Sequence, residues 1–426
     1  MYGLIDCNNF YVSCERIFDL TLENKPVAIL SNNDGCVISR SNELKALSVK
    51  MGTPFFHLKP LIKKHGIECR SSNYELYGDI SQRVMNVLNQ FTPEVEPYSI
   101  DEAFVRIKLP ENQSYFEYGL KIRQTILQWV GVPVGVGFAS TKTLAKIANH
   151  IAKKSADGVF VMPQNPMQIL NDLPVEEVWG IGRQIAKRLH AIGIYKAGNF
   201  ASQEQGFLKK KFNVMVARTA LELNDINAVP VEGVTALPQS ISCSRSFGNP
   251  VFELKYLQEA VSDYASKAAV KLRESKQLAA GAQVYIQYYP EYNPVYREGG
   301  FRGATVRFEQ PTSATGTILN SLLNALPKLF IKGRRYKKAG VVFFELSSTE
   351  NVQEQLFIFN AYSNTVENSE NEKQTELYKT LDEINKKFGS DTIFNLSSGI
   401  EKPWKMKRDH LSKRYTTNWN QLMTVK

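Results

Sequence analysis

Apolar positions mark out elements from the first residues of this chain. "YGLIDCN" is a strand that runs straight into "NFYVSCERIF", and "PVAILSN" is a second strand closed by the turn residues "NNDG". A helix follows around "SNELKALSV". In "SQRVMNVLNQF", Val84, Val87, Leu88 and Phe91 fall at i, i+3, i+4 and i+7, one face of a helix. A strand pair is predicted around "YSIDEAFVRI", then the amphipathic helix "FEYGLKIRQTILQWV" and the strand "VPVGVGFAS". "STKTLAKIANHIAKK" is a further helix with Ser140 or Thr141 as N-cap. This order predicts an antiparallel or mixed sheet with helices packed on it, not a doubly wound fold.

From roughly residue 165 to 234 the pattern changes to short helices joined by Gly turns. From about Gln239 it changes again. The strand "QSISCSRSF" precedes the long helix "ELKYLQEAVSDYASKAAVKLRESK". Strands "GAQVYIQYY" and "GATVRFEQ" flank a polar loop, and helix "GTILNSLLNALPKLF" leads to strand "KAGVVFFELSS". The order β-α-β-β-α-β is a ferredoxin-like unit of independent-domain size. After Ser348 the chain turns polar, with "ENSENEK" as the expected linker and "ELYKTLDEINKKFG" as a last helix. The end is basic: Lys402, Lys405, Lys407, Arg408, Lys413, Arg414 and Lys426 face only Glu401 and Asp409.

Composition narrows the class. The 426 residues imply several domains, and 43% hydrophobic content is enough for real cores. The 52 Lys and Arg exceed the 42 Asp and Glu, a net charge of +10. That balance favours an anionic partner, nucleic acid above all, over a merely basic enzyme. Five cysteines, none in a C-x-x-C pair, argue against a disulfide framework or zinc site and for a reducing cytoplasmic setting. The start lacks a basic, apolar leader, no stretch is long and apolar enough for a membrane, and no Walker-type phosphate loop is present.

The candidate chemistry lies in three acids. Asp6 ends an apolar strand, and alone it reads as a turn former. Asp101 and Glu102 sit side by side in the apolar run "YSIDEAF", where burial costs several kcal/mol unless a cation compensates. Together, three carboxylates at the ends of adjacent strands suit two divalent cations about 3.5–4 Å apart, as Mg²⁺ with its hard oxygen ligands would require. The counter-charge is then assigned to two Mg²⁺, with the backbone oxygen of Cys7 as a further ligand.

"DCNNFYVSCE", "SNNDGCVISRSNELKALSVKMG", "SSNYELYGDIS", "EPYSIDEAF" and "STKTLAKIANHIAKK", in this order, resemble the Y-family translesion DNA polymerases. The tail "WKMKRDHLSKRYTTNW" resembles the C-terminal module of the UmuC group within that family. The resemblance implies an α+β, multidomain right hand. A ferredoxin-like palm (1–10 and 76–165) would hold Asp6, Asp101 and Glu102. Small fingers (11–75), a helical thumb with a helix-hairpin-helix (166–235), the β-α-β-β-α-β little finger (239–348) and a C-terminal tail (349–426) would complete it. It implies error-prone addition of deoxynucleotides opposite damaged template bases in the SOS response. Its partners would be primer-template DNA, deoxynucleoside triphosphates, a sliding clamp, a cleaved UmuD dimer and RecA, with no membrane.

Residue roles follow from the same resemblance. The family's aromatic sugar gate maps onto Tyr11, with Phe10 beside it; core packing is the alternative for both. Lys153, with Lys154 adjacent, matches the palm lysine that binds triphosphate. Relatives use Tyr and Arg in the fingers, where this chain has Asn42 and Lys45, so Lys45 brings a point charge without a bidentate fork. Ser48 stands where Gly is usual.

"VWGIGRQIAKRLHAIGI" reads as a helix-hairpin-helix whose Gly180–Ile181–Gly182 turn offers backbone N–H groups to a DNA phosphate, with Arg183, Lys187 and Arg188 nearby. In "IKGRRYKK", Lys332, Arg334, Arg335, Lys337 and Lys338 suit template-backbone contact. "QLFIF" is similar to the family's clamp-docking peptide, with Gln355, Leu356, Ile358 and Phe359 as anchors; a last strand of the little finger is the alternative. Two other classes compete. A palm-type nucleotidyl cyclase needs neither hairpin nor little finger, and a silent DNA-binding scaffold needs none of the acids.

Overall fold

Strand β1 (Tyr2–Cys7) is buried along its whole length. The computed structural model describes residues 1–229, 237–290, 300–349 and 364–423, and for 364–375 the backbone alone. At the end of β1 the chain reverses through Asn9, whose φ of 48° is one that Asn tolerates, and enters helix α1 (Phe10–Phe18). The Ser13 hydroxyl donates to the Asn8 carbonyl at 2.7 Å and fastens that first turn.

Next come β2 (Val27–Leu30), β3 (Val37–Arg40), α2 (Asn42–Ala46), α3 (Phe55–His65) and β4 (Glu68–Ser71). These strands form a small sheet of order β3-β2-β4 with its own apolar cluster. Then follow α4 (Tyr74–Leu88), β5 (Val95–Pro97), β6 (Glu102–Arg106), α5 (Tyr115–Val130), β7 (Val134–Ala139), α6 (Lys142–Ala152) and β8 (Val159–Val161). The main sheet has the order β5-β6-β1-β7-β8, antiparallel except for β7 with β8. Short helices follow: α7 (Met167–Asp172), α8 (Arg183–His190), α9 (Ala197–Ala201), α10 (Gln205–Lys211) and α11 (Val214–Leu223).

The period-2 pattern sorts the two faces of the main sheet. Ile5, Cys7, Ala103, Val105, Val134, Val136 and Phe138 share one core with residues of α1, α4 and α5. Tyr2, Leu4, Phe104 and Ala139 share another with α6 and the short helices. In "VGVGFA" the large residues fall on the first face and the glycines on the second. A Cβ at Gly137 would stand 2.1 Å from the backbone nitrogen of Asn149, so α6 lies against the sheet only because that face is bare. Thr141 caps α6 through the Leu144 N–H, one of the two candidate caps.

A second unit comprises β9 (Ile241–Val251), α12 (Leu254–Glu274), β10 (Gln277–Tyr288), β11 (Phe301–Thr312), α13 (Thr315–Ala325), β12 (Tyr336–Ser348) and α14 (Asn364–Phe388). This is the expected β-α-β-β-α-β order. Its sheet runs β11-β10-β12-β9, fully antiparallel, so each β-α-β is split by a strand of the other. "ENSENEK" is not a linker: it lies within α14. Its low hydrophobicity means that it lacks an apolar face, whereas Glu, Gln and Lys are good helix formers. The two units are Met1–Thr235 with Asp409–Lys426, and Ala236–Arg408. The tail is therefore shared between them. Trp404 joins the core of the second unit, and the chain returns to the first at Asp409. Among the described residues no helix is long and apolar enough to cross a membrane.

Candidate active site

Asp6 and Glu102 are direct cross-strand partners in the β1–β6 ladder. By strand alternation both face α6. That helix presents Lys142, Lys146, Asn149 and Lys153 at i, i+4, i+7 and i+11, one stripe on its surface. The stripe meets a row of carboxylates. Lys142, 2% exposed, binds Glu96 at 2.7 Å. Lys146 binds Glu102 at 3.0 Å, and Lys153, the C-cap of the helix, binds Asp6 at 2.5 Å. Asn149 donates to the carbonyls of Leu4 and Gly135 and pins the helix across two strands. Breaking one such pair by removing the cation costs about 3–5 kcal/mol where the carboxylate is left buried.

Lysines of α6 thus supply, within the chain, part of the counter-charge that the sequence assigns to metal. Lys142 and Lys146 escaped the sequence reading, although their helical spacing from Lys153 was visible. Lys146 is further held among rings, 4.3 Å from the centroid of Tyr98 and 5.6 Å from that of Trp179. The Trp179 indole donates to the Tyr98 hydroxyl at 3.0 Å, which docks the hairpin region beside the strand that starts at Glu102.

Asp6 is 8% exposed, and burial pushes its carboxyl well above the carboxylate range; Lys153 pulls it back and Glu102 pushes it further up. Asp101 is placed differently. Its carboxylate accepts from the Ser99 hydroxyl at 2.5 Å, and its carbonyl accepts from the Cys7 N–H at 2.8 Å. Among the described residues no three His, Cys, Asp or Glu side chains are gathered tightly enough to enclose a metal ion. The donor set still fits Mg²⁺: oxygen-only, with two carboxylates in cross-strand register and a third, Asp101, held by a hydroxyl rather than by a cation.

Tyr11 and Phe10 part ways. Phe10 is 3% exposed and belongs to the core. Tyr11 is half-buried and stacks on Tyr77, centroids 4.5 Å apart and planes 17° from parallel. Its phenol is pushed up to about 12 by burial, with Tyr74 and Asp101 adding to the shift, so it is neutral at any working pH.

Lys45 donates to the side-chain carbonyl oxygen of Asn9 at 2.6 Å, and Asn9 donates to Asn42 at 3.0 Å. Asn42 thus orients its neighbours. Burial, then Arg40 and Lys153, lower the Lys45 ammonium below its ordinary value. Arg40, missed in the sequence, completes this cationic group. Lys154, next after Lys153 in sequence, is exposed. Ser48 has φ 58°, the left-handed conformation that makes Gly usual at that position.

Gly180 has φ 85°, and Gly182 N-caps α8, on which Arg183, Lys187 and Arg188 are exposed. In the second unit, Arg334 lies over Tyr288, Arg335 and Lys337 over Tyr289, and Lys338 over Tyr285. Rings and cations alternate along the end of β10, a surface suited to a sugar-phosphate backbone. Gln355, Leu356, Ile358 and Phe359 lie outside the described residues.

A model of the impB/mucB/samB family matches residues 5–150, and one of its C-terminal domain matches 238–356. The IMS family HHH motif matches 163–194, and a domain of unknown function (DUF4113) matches 375–425. Protein UmuC of Salmonella typhimurium is 40% identical over 100% of both chains, and Protein ImpB of the same organism 37% identical over 99% of both. The solved Y-family DNA polymerase chimera of Dbh and Dpo4 superposes with a TM-score of 0.64 at 23% identity, covering 82% of this chain and 99% of its own.

Proposed function

The chain belongs to the impB/mucB/samB family of UmuC-like Y-family DNA polymerases and is an error-prone, metal-dependent translesion DNA polymerase; from that premise we propose how its residues divide the work. Asp6, Asp101 and Glu102 hold two Mg²⁺, with the Cys7 carbonyl as a further ligand. Bound there, the ions would stabilise charge on the attacking 3′-hydroxyl and the leaving oxygens of an in-line transfer. The chain's own part is positioning. Lys153 exchanges Asp6 for the triphosphate, and Lys45, steered by Asn9, takes its other side. Tyr11 fills the space under the deoxyribose, where a 2′-hydroxyl would clash.

The Gly180–Gly182 turn, with Arg183 and Lys187, and the Arg334–Arg335 surface grip DNA phosphates without reading sequence. Residues 355–359 dock on a sliding clamp, and the chain works in the cytoplasm during the SOS response with a cleaved UmuD dimer and RecA. The observation that supports the reading most is the cross-strand pair Asp6–Glu102, with Asp101 close enough to raise the phenol of the half-buried Tyr11.

The test is primer extension past a template abasic site, with and without the two protein partners. Insertion opposite the lesion with frequent errors on undamaged template is expected. A strict stop at the lesion with accurate copying elsewhere would contradict it.

A further inference from the structure

Residues 409–416 bring the tail back onto the helices that carry and support Tyr11. The Asp409 N–H donates to the Asp34 carboxylate at 2.9 Å, the His410 N–H donates to the Ser71 hydroxyl at 3.0 Å, and the Ser71 N–H donates to the His410 carbonyl at 3.0 Å. The side-chain amide of Asn73, fully buried at the N-cap of α4, donates to the Ser412 hydroxyl at 2.9 Å and to the Lys413 carbonyl at 3.1 Å. Tyr415 stacks on Phe18, the last residue of α1, with centroids 4.7 Å apart.

One contact leads toward the nucleotide site. Glu15 on α1 is 1% exposed, and its Oε1 accepts two hydroxyls: Tyr77 from α4 at 2.7 Å and Ser412 from the tail at 3.0 Å. Tyr77 is the ring on which Tyr11 stacks. Tail, Glu15, Tyr77 and Tyr11 thus form a continuous chain of contacts. A carboxylate this buried depends on each donor, because water does not replace a donor that is removed.

We propose that the C-terminal segment is a strap whose Ser412 positions the sugar gate through Glu15 and Tyr77, so that discrimination against ribonucleotides depends on a residue about 400 positions from the gate in sequence. This gives the end of the domain of unknown function a role in substrate choice. It rests on the reading of Tyr11 as the gate. Ser412 is a positioning residue: it touches no substrate. A slack Tyr77 lets the Tyr11 ring retreat from the space a 2′-hydroxyl would occupy, while the deoxynucleotide, which needs no such exclusion, is used as before.

The experiment is single-nucleotide incorporation by the full chain, with kcat/KM measured for a deoxynucleotide and the matching ribonucleotide. Ser412→Ala is expected to raise the ribonucleotide-to-deoxynucleotide ratio about threefold to tenfold, the scale of one hydrogen bond to a charged acceptor only partly transmitted. Ser412→Thr, which keeps the hydroxyl, should stay at the wild-type ratio. Tyr77→Phe, which keeps the ring and removes the other donor, should raise it as well and serves if Ser412→Ala does not fold. In a Tyr11→Ala background Ser412→Ala should add nothing. An unchanged ratio in Ser412→Ala and Tyr77→Phe, with Tyr11→Ala raising it, would overturn the strap. Equal loss for both sugars would also overturn it, since that is what a merely structural segment gives. No change in Tyr11→Ala itself would remove the gate, and the inference with it.

Discussion

Lys153 Nζ stands 2.5 Å from Asp6 Oδ2, a cation at the C-cap of α6 closed on the carboxylate that ends β1. The same two side chains are assigned to different partners during catalysis, Asp6 to metal and Lys153 to triphosphate. Their pairing means that each is held at the right place before substrate arrives, and that one must be released for the other to act.

Lys153→Ala should therefore affect nucleotide binding more than turnover. A charge-assisted contact worth about 1.5–3 kcal/mol predicts a KM for the incoming nucleotide raised roughly tenfold to a hundredfold, with kcat changed much less. Steady-state incorporation checks it. An unchanged KM would mean that Lys153 serves Asp6 alone.

Glu15 makes stability depend on pH in a defined direction. Burial raises its carboxyl above the ordinary glutamate value, while the Tyr77 and Ser412 hydroxyls pull it down. The folded chain therefore keeps the proton to higher pH than the unfolded chain. Stability from this group is greatest below the unfolded value and declines as pH rises toward the folded one. Glu15→Gln abolishes that titration. Denaturant unfolding across the acid range should show a larger decline with rising pH in wild type than in the variant; parallel curves would contradict the assignment.

Ser48→Gly should stabilise the chain by about 0.5–1 kcal/mol, because an exposed L-residue at φ 58° carries strain that glycine lacks, partly offset by glycine's freedom in the unfolded state. Thermal melting reads the effect. A lowered midpoint would show that the serine side chain contributes more than its backbone costs.

Much of this architecture was legible in the sequence. The caps and apolar spacings marked α4, α5 and α6, and the alternation in "VGVGFA" marked β7. What that alternation also encodes, a bare face on which α6 can lie, needs the three-dimensional partner to be seen. Lys142 and Lys146 escaped notice because a sequence gives no sign that a polar helix stripe faces carboxylates rather than water. The strap was invisible for the same reason: its anchors, Asp409, His410 and Ser412, are polar residues in a basic tail. They are satisfied by Asp34, Ser71, Asn73 and Glu15, which lie more than 300 positions away in sequence.

The Arg334–Arg335 surface makes a salt prediction. Replacing both by alanine should reduce the slope of log affinity against log salt by about 0.9 for each phosphate no longer neutralised, independent of DNA sequence. An identical slope in the double variant would place the DNA elsewhere.

The central claim is that three carboxylates, Asp6, Asp101 and Glu102, carry the transfer chemistry while other surfaces carry the DNA. Asp101→Asn tests it most directly, since Asp101 is held by Ser99 and the Cys7 N–H rather than by a lysine, and the change removes charge without removing an ion pair. Primer extension and primer-template affinity are measured on the same preparation. The account predicts that extension is abolished while affinity stays within about twofold of wild type, as it should when every cation that neutralises a phosphate is still in place. Extension at the wild-type rate would contradict it.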